Sequence, residues 1–249
     1  MNLRISTSGL VKSHLSGRRA HPVLMGVDLK WSSGAIHVLR GPNGAGKTTL
    51  LKILAGLDVC DAGRVSITDP MEGHQIAADP GVLRKLGAWL PDRPGFSSSL
   101  SARHAMEEVL ILDGVINKKD RHDRISQAQA VFSLDGLLDR PGPTFSRGQQ
   151  AQLAIARLSL LNRNYWWLDE PFAALDVEAI SRVCAWMESR SKLGDVVVLC
   201  THQVDSGPML SNKWSIPVQN WSLSGGKVEQ GHGENELSVA WGLNVEQGR

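Results

Sequence analysis

The chain has 249 residues, 42% hydrophobic and 21% charged, which supplies a core for one large or two small domains and excludes a disordered chain or a coiled-coil rod. Lys and Arg number 27 against 25 Asp and Glu, a net charge of +2, which is too balanced to advertise nucleic-acid binding by bulk electrostatics and leaves room for a local basic patch. Cys60, Cys184 and Cys200 lack disulfide-framework or zinc-type spacing, no apolar run reaches the roughly eighteen residues of a membrane helix, and the segment from Met1 to Gly17 lacks an apolar signal core; a reducing compartment and no membrane span are expected.

From Val23, apolar and polar residues alternate through Leu24, Val27, Leu29 and Trp31, the pattern of a half-buried strand. Ala35 to Leu39 is a short apolar run that ends in Gly41, Pro42, Asn43 and Gly44, after which Leu50, Leu51, Ile53 and Leu54 return at helical spacing. This predicts strand, glycine loop and helix, with the helix stopping near Gly56. Asp61-Ala62-Gly63 reads as a turn into a strand over Arg64 to Thr68, and Asp69 to Pro80 as loop. Val82 to Trp89 leads into Pro91, Pro94 and the serines Ser97 to Ser99, a region expected at the surface.

Met106, Val109 and Leu110, then Ile125, Ala128, Val131 and Phe132, fall at three-and-four spacing between Ser101 and Leu138 and predict a small helical subdomain. A helix continues from Phe145 toward Asn162, Tyr165 to Leu168 is a short apolar strand, and a helix over Val177 to Ser191 precedes the strand Val196 to Cys200. Alternation of helices with apolar strands predicts an α/β fold with a parallel sheet covered by helices. From Gly225 the text is polar and glycine-rich and reads as a tail, with Leu237 to Leu243 either a short helix or loose. Eight Trp stand beside one Tyr and four Phe, a bias that composition does not explain.

Between the predicted strand and helix, Gly41-Pro42-Asn43-Gly44-Ala45-Gly46-Lys47-Thr48 matches the phosphate-binding loop pattern in its confirming context. Its glycines let the N–H groups from about Gly44 to Thr49 turn inward around phosphate oxygens, and the helix N-terminus adds partial positive charge. Lys47 reaches the β and γ phosphates, and Thr48 offers a hydroxyl to Mg²⁺. Tyr165-Trp166-Trp167-Leu168-Asp169-Glu170 delivers two carboxylates at the end of a strand, where ligands of open α/β sheets sit. Such a pair also serves as a helix cap. Beside a phosphate loop it assigns Asp169 to the metal and Glu170 to accept a proton from the attacking water.

About twenty residues before these carboxylates stands Phe145-Ser146-Arg147-Gly148-Gln149, which resembles the Leu-Ser-Gly-Gly-Gln signature of the ATP-binding cassette (ABC) ATPases. Ser146, Gly148 and Gln149 match, and Phe145 and Arg147 depart. The order of phosphate loop, signature and carboxylate pair follows that family. Ala174-Leu175-Asp176 resembles its D-loop and His202 its switch histidine, over a stretch from about Leu10 to Asn220.

The resemblance implies an α/β fold: a P-loop NTPase core with a mainly parallel sheet, an N-terminal antiparallel β region and a small helical subdomain at about 93–162, within one cassette over 1–224 followed by a tail at 225–249. It implies ATP and Mg²⁺ as cofactors and a head-to-tail dimer of cassettes, expected as a homodimer. There Ser146, Gly148, Gln149 and Asp176 complete the partner's site, and His202 contacts the γ-phosphate. Ser146 alone would be an ordinary N-cap. Where the family has glutamine after Leu-Pro, this chain has Leu90-Pro91-Asp92, and Asp92 still offers oxygen to Mg²⁺ or its water. The family's adenine-stacking aromatic is missing between Gly9 and Leu24, which leaves His14, His21 and Leu15.

In function, the resemblance implies an ATP-hydrolysing subunit that drives separate integral-membrane subunits, on the cytoplasmic face of the cell membrane and without nucleic acid. Ser146 to Arg157 is similar to small exporter-type ATPases, the haem exporters of cytochrome c maturation among them, and drug, lipid or polysaccharide exporters fit nearly as well. The alternatives are a non-transport cassette acting on nucleic acid or ribosomes, and a nucleotide sensor with little turnover.

Overall fold

Ten strands fall into two sheets in a computed structural model that describes residues 3–17, 19–68, 73–94, 100–201 and 214–231. The first sheet is antiparallel, in the order β2 (Arg19–Ser32), β1 (Arg4–Ser16), β4 (Ala62–Thr68), β5 (Gln75–Ala77). β1 escapes hydropathy patterning because two of its inward positions are polar. Thr7 donates its hydroxyl to the Val27 carbonyl at 2.7 Å, and Lys12 is buried against Asp58 at 2.8 Å and the Val59 carbonyl at 2.7 Å. β5, only three residues long, lies within the stretch whose composition reads as loop.

The second sheet runs β10 (Lys227–Gln230), β9 (Val218–Ser224), β3 (Ile36–Arg40), β8 (Val196–Thr201), β7 (Tyr165–Asp169), β6 (Gly87–Leu90), parallel throughout except for the β9–β10 pair. β6 corrects the surface expectation for its stretch, since Ala88 and Leu90 are each 3% exposed beneath neighbouring elements. β10 carries the sheet past Gly225, where the text turns polar: an edge strand needs little apolar content when its backbone pairs with β9.

The buried parallel strands alternate their side chains between two cores. Trp166, Leu168, Val197 and Leu199 join one core with α3 (Ala102–Leu112), α4 (Lys118–Phe132), α5 (Arg147–Ser159) and α6 (Val177–Lys192). Tyr165, Trp167, Val198 and Cys200 face the other, shared with α1 (Lys47–Leu54), α2 (Pro80–Leu86) and the antiparallel sheet. Among the described residues, Trp31, Trp166, Trp167, Trp186 and Trp221 are buried in these cores. Trp31 meets Trp167 at 6.3 Å and Trp221 edge-on at 5.9 Å, while Trp166 meets Trp186 edge-on at 5.1 Å between ring centroids; such pairs add about 0.5–1.5 kcal/mol each beyond their burial.

Polar N-caps fix where the helices start: Asp79 for α2, Ser101 for α3, Asn117 for α4, Ser146 for α5 and Asp176 for α6. Among the described residues, no helix is long and apolar enough to cross a membrane.

Candidate nucleotide-binding site

α1 begins differently from the other helices. Its N-cap is Gly46 at φ +103°, and no side chain caps the first turn. Glycine is required there by that backbone conformation and by Val23, whose Cγ1 would lie 2.8 Å from an added Cβ. The first-turn N–H groups therefore remain available to an anion, and the helix dipole favours one.

The loop before α1 forms one wall of a cleft of about 520 Å³ lined by Asn43, Gly44, Ala45, Gly46, Lys47, Thr48 and Thr49. Gly41 and Pro42 lie beneath it, and their carbonyls accept hydrogen bonds from the Lys47 ammonium at 2.7 and 3.1 Å. Lys47 is 8% exposed, so its charge is held in the floor of the loop and not spread over the surface.

β7 brings Asp169 and Glu170 to the opposite wall. The Thr48 hydroxyl donates to Asp169 Oδ2 at 2.5 Å, tying the start of α1 to the end of β7. Glu170 leaves the strand at φ +49° and donates its N–H to the Cys200 carbonyl at 3.0 Å. This left-handed turn lets two sequence neighbours line one cleft, although adjacent residues within a strand face opposite sides. Burial pushes the Asp169 carboxyl up from its ordinary range. The charges of Glu170 and Asp92 push the same way, against the Thr48 hydrogen bond and Lys47. Asp92 follows β6 and lines the same cleft.

The exposed Thr48 hydroxyl and the buried Asp169 carboxylate in contact, with two further carboxylates nearby, form an oxygen donor set that suits a hard divalent cation sharing phosphate ligands. Among the described residues no cluster of three or more His, Cys, Asp or Glu forms a self-contained metal site.

Ser146, Gly148, Gln149 and Asp176 lie outside this cleft. Ser146 caps α5 in a reciprocal capping box with Gln149, its hydroxyl accepting from the Gln149 N–H at 3.2 Å and its own N–H donating to Gln149 Oε1 at 3.1 Å. Asp176 caps α6 by accepting from the Ala179 N–H at 2.7 Å. The two starts are in contact, since a Cβ on Gly148 would come within 2.7 Å of the Ala174 carbonyl oxygen. His202 lies outside the described residues; Thr201 before it closes β8 and is buried.

Three further residues line the cleft: Val23 and Arg93, which the sequence did not single out, and His14, one of the residues left in place of the adenine-stacking aromatic. Val23 packs against the loop. His14 lines the cleft with Nε2 3.1 Å from Thr49 Oγ1, while its cross-strand neighbour His21 is not among the lining residues and Leu15 is 79% exposed. Arg93 is the third. Its adjacency to Asp92 was the available signal, but neighbouring opposite charges are common on surface loops.

A phosphate loop opening a helix, a carboxylate pair at the end of the adjoining strand and a parallel sheet behind both define a P-loop nucleoside-triphosphate site. The ABC transporter family profile matches residues 24–173. The chain is 37% identical over 187 residues to the cytochrome c biogenesis ATP-binding export protein CcmA of Yersinia pseudotuberculosis, covering 75% of this chain and 82% of that one. It is 33% identical over 211 residues to CcmA 1 of Salmonella paratyphi A, covering 85% and 94%. Among solved structures, an ATP-binding subunit of an ABC transporter superposes with TM-score 0.75 at 24% identity over 97% of this chain and 94% of its own. A dimeric ATP-binding cassette bound to ADP and Pi does so with TM-score 0.74 at 21% identity over 92% and 99%. The chain belongs to the ABC transporter family, as an ATP-binding, ATP-hydrolysing cassette subunit.

Proposed function

We propose that the chain powers export through separate integral-membrane subunits, working with Mg²⁺ on the cytoplasmic face of the cell membrane as one of two paired cassettes. The observation that carries the ATPase chemistry is the contact of Thr48 with Asp169 inside the cleft that also holds Lys47 and Glu170. The relatives, named as ATP-binding export proteins of cytochrome c biogenesis, support export. The dimeric cassette among the structural neighbours supports pairing.

In this reading the α1 N-terminus and Lys47 bind the phosphates, and Glu170 accepts the proton of the water that attacks the γ-phosphate. A bound Mg²⁺ would be held by Thr48, Asp169 and Asp92 and would offset phosphate charge. Ser146, Gly148, Gln149 and Asp176 of one copy complete the other's site, where His202 contacts the γ-phosphate. An apolar groove lined by Trp89, Leu90, Val109, Ala154 and Leu158 lies between core and helical subdomain and receives a short helix of the membrane subunit.

The test is affinity purification of the Glu170→Gln chain with ATP from detergent-solubilised membranes of its own organism, followed by mass spectrometry. Co-purified integral-membrane subunits are expected. Ribosomal or DNA-repair proteins in their place would overturn transport and leave the ATPase chemistry standing.

A further inference from the structure

The cleft places three carboxylates where a polyphosphate is received. Asp92, Asp169 and Glu170 line it, against two permanently charged cations among its described lining residues, Lys47 and Arg93. Lys47 is anchored in the loop floor by two carbonyls. Arg93 is placed differently: its side chain is 95% exposed, and its ion pair with Asp92 spans 4.0 Å, too long to fix the guanidinium. The flanking Pro91 and Pro94 restrict the backbone on both sides, so the pair is presented from a stiffened segment. Asp92 is close enough to Asp169 to raise its carboxyl. β6 pairs in parallel with β7, Leu90 opposite Leu168, so the segment carrying Asp92 and Arg93 leaves the sheet beside the one carrying Asp169 and Glu170.

We propose that Arg93 binds the terminal phosphate of ATP, leaving its loose pairing with Asp92 when the nucleotide enters. The inference rests on the assignment of the cleft as a nucleotide site and deepens it. A guanidinium offers paired N–H donors that match phosphate oxygens, and here it also offsets the negative charge that Asp92 adds beside Asp169. Because Arg93 reaches the cleft from the β6 side and not from the loop, its contribution falls on the terminal phosphate; the inner phosphates are left to the α1 N-terminus.

The test is calorimetric titration of the full chain with AMP-PNP and with ADP, each with Mg²⁺, for wild type, Arg93→Gln and Arg93→Lys. Arg93→Gln is expected to lose about tenfold in AMP-PNP affinity and to keep ADP affinity within about twofold, with Arg93→Lys between wild type and Arg93→Gln. The exposed position leaves folding unaffected, which circular dichroism verifies. A change of less than about threefold in the ratio of AMP-PNP to ADP affinity in Arg93→Gln overturns the proposal. If wild type binds both nucleotides in that case, the site itself stands. If wild type binds neither, the site assignment falls and Arg93 with it.

Discussion

Single residues in the cleft act through charges held in place by their surroundings. Lys47 is buried and aligned by the Gly41 and Pro42 carbonyls, so Lys47→Ala removes a pre-positioned cation and is expected to weaken ATP binding by at least about tenfold in calorimetry; unchanged affinity would contradict the loop assignment. A second residue, remote from the nucleotide, sets an acid limit on the fold. His37 is fully buried, its Nε2 2.8 Å from the Ser32 carbonyl and its Nδ1 accepting from the Trp221 indole N–H at 3.3 Å. Burial lowers its pKa from 6.5 to about 4, with the Ser32 hydrogen bond opposing. The folded state thus favours the neutral ring. Its contribution is whole above pH 6.5, is lost as pH falls toward 4, and amounts to about 3 kcal/mol. Urea unfolding of wild type against His37→Gln at several pH values measures this, and the gap should narrow on acidification. An equal gap at pH 7 and pH 4.5 would contradict it.

Among the elements, motif-bearing ones were the most legible. The strand, loop and helix around Lys47, and β7 with its carboxylates, were readable because hydrophobic period and turn chemistry agree there. β1, β5 and β10 were not: β1 hides Thr7 and Lys12 inside, and the other two are short strands whose stability comes from backbone pairing. Tertiary partners decide such segments, and hydropathy does not record them. The start of α5 shows a different kind of ambiguity, since Ser146 is an N-cap by geometry and a trans ligand in the proposed dimer. Ser146→Ala separates the roles. Loss of the cap costs about 1 kcal/mol of stability, whereas loss of a phosphate contact lowers ATPase activity by about tenfold or more. We expect both effects, with ATP affinity of the single chain unchanged because Ser146 lies outside its own cleft. Normal turnover with only the stability loss would reduce Ser146 to a cap.

For the whole molecule, two cores on either face of one parallel sheet hold the phosphate loop and the carboxylate strand in a fixed relation, and Thr48 and Asp169 meet where they end. The uninterrupted apolar run of Tyr165 to Leu168 made β7 legible as a strand but not which face each residue takes: Trp166 faces one core while Tyr165 and Trp167 face the other. The convergence of Val23 and Arg93 on the cleft was not visible, and His14 could not be told from His21, because both depend on how the antiparallel sheet and the segment after β6 pack around α1. The Trp count likewise gained a meaning only from the packing of Trp31, Trp167 and Trp221. The central claim is that this cleft turns over ATP with Glu170 as proton acceptor, and parallel measurement of ATP binding and steady-state hydrolysis in wild type and Glu170→Gln tests it most directly. The predicted result is retained ATP affinity with hydrolysis slowed by at least about tenfold; wild-type turnover in Glu170→Gln would contradict it.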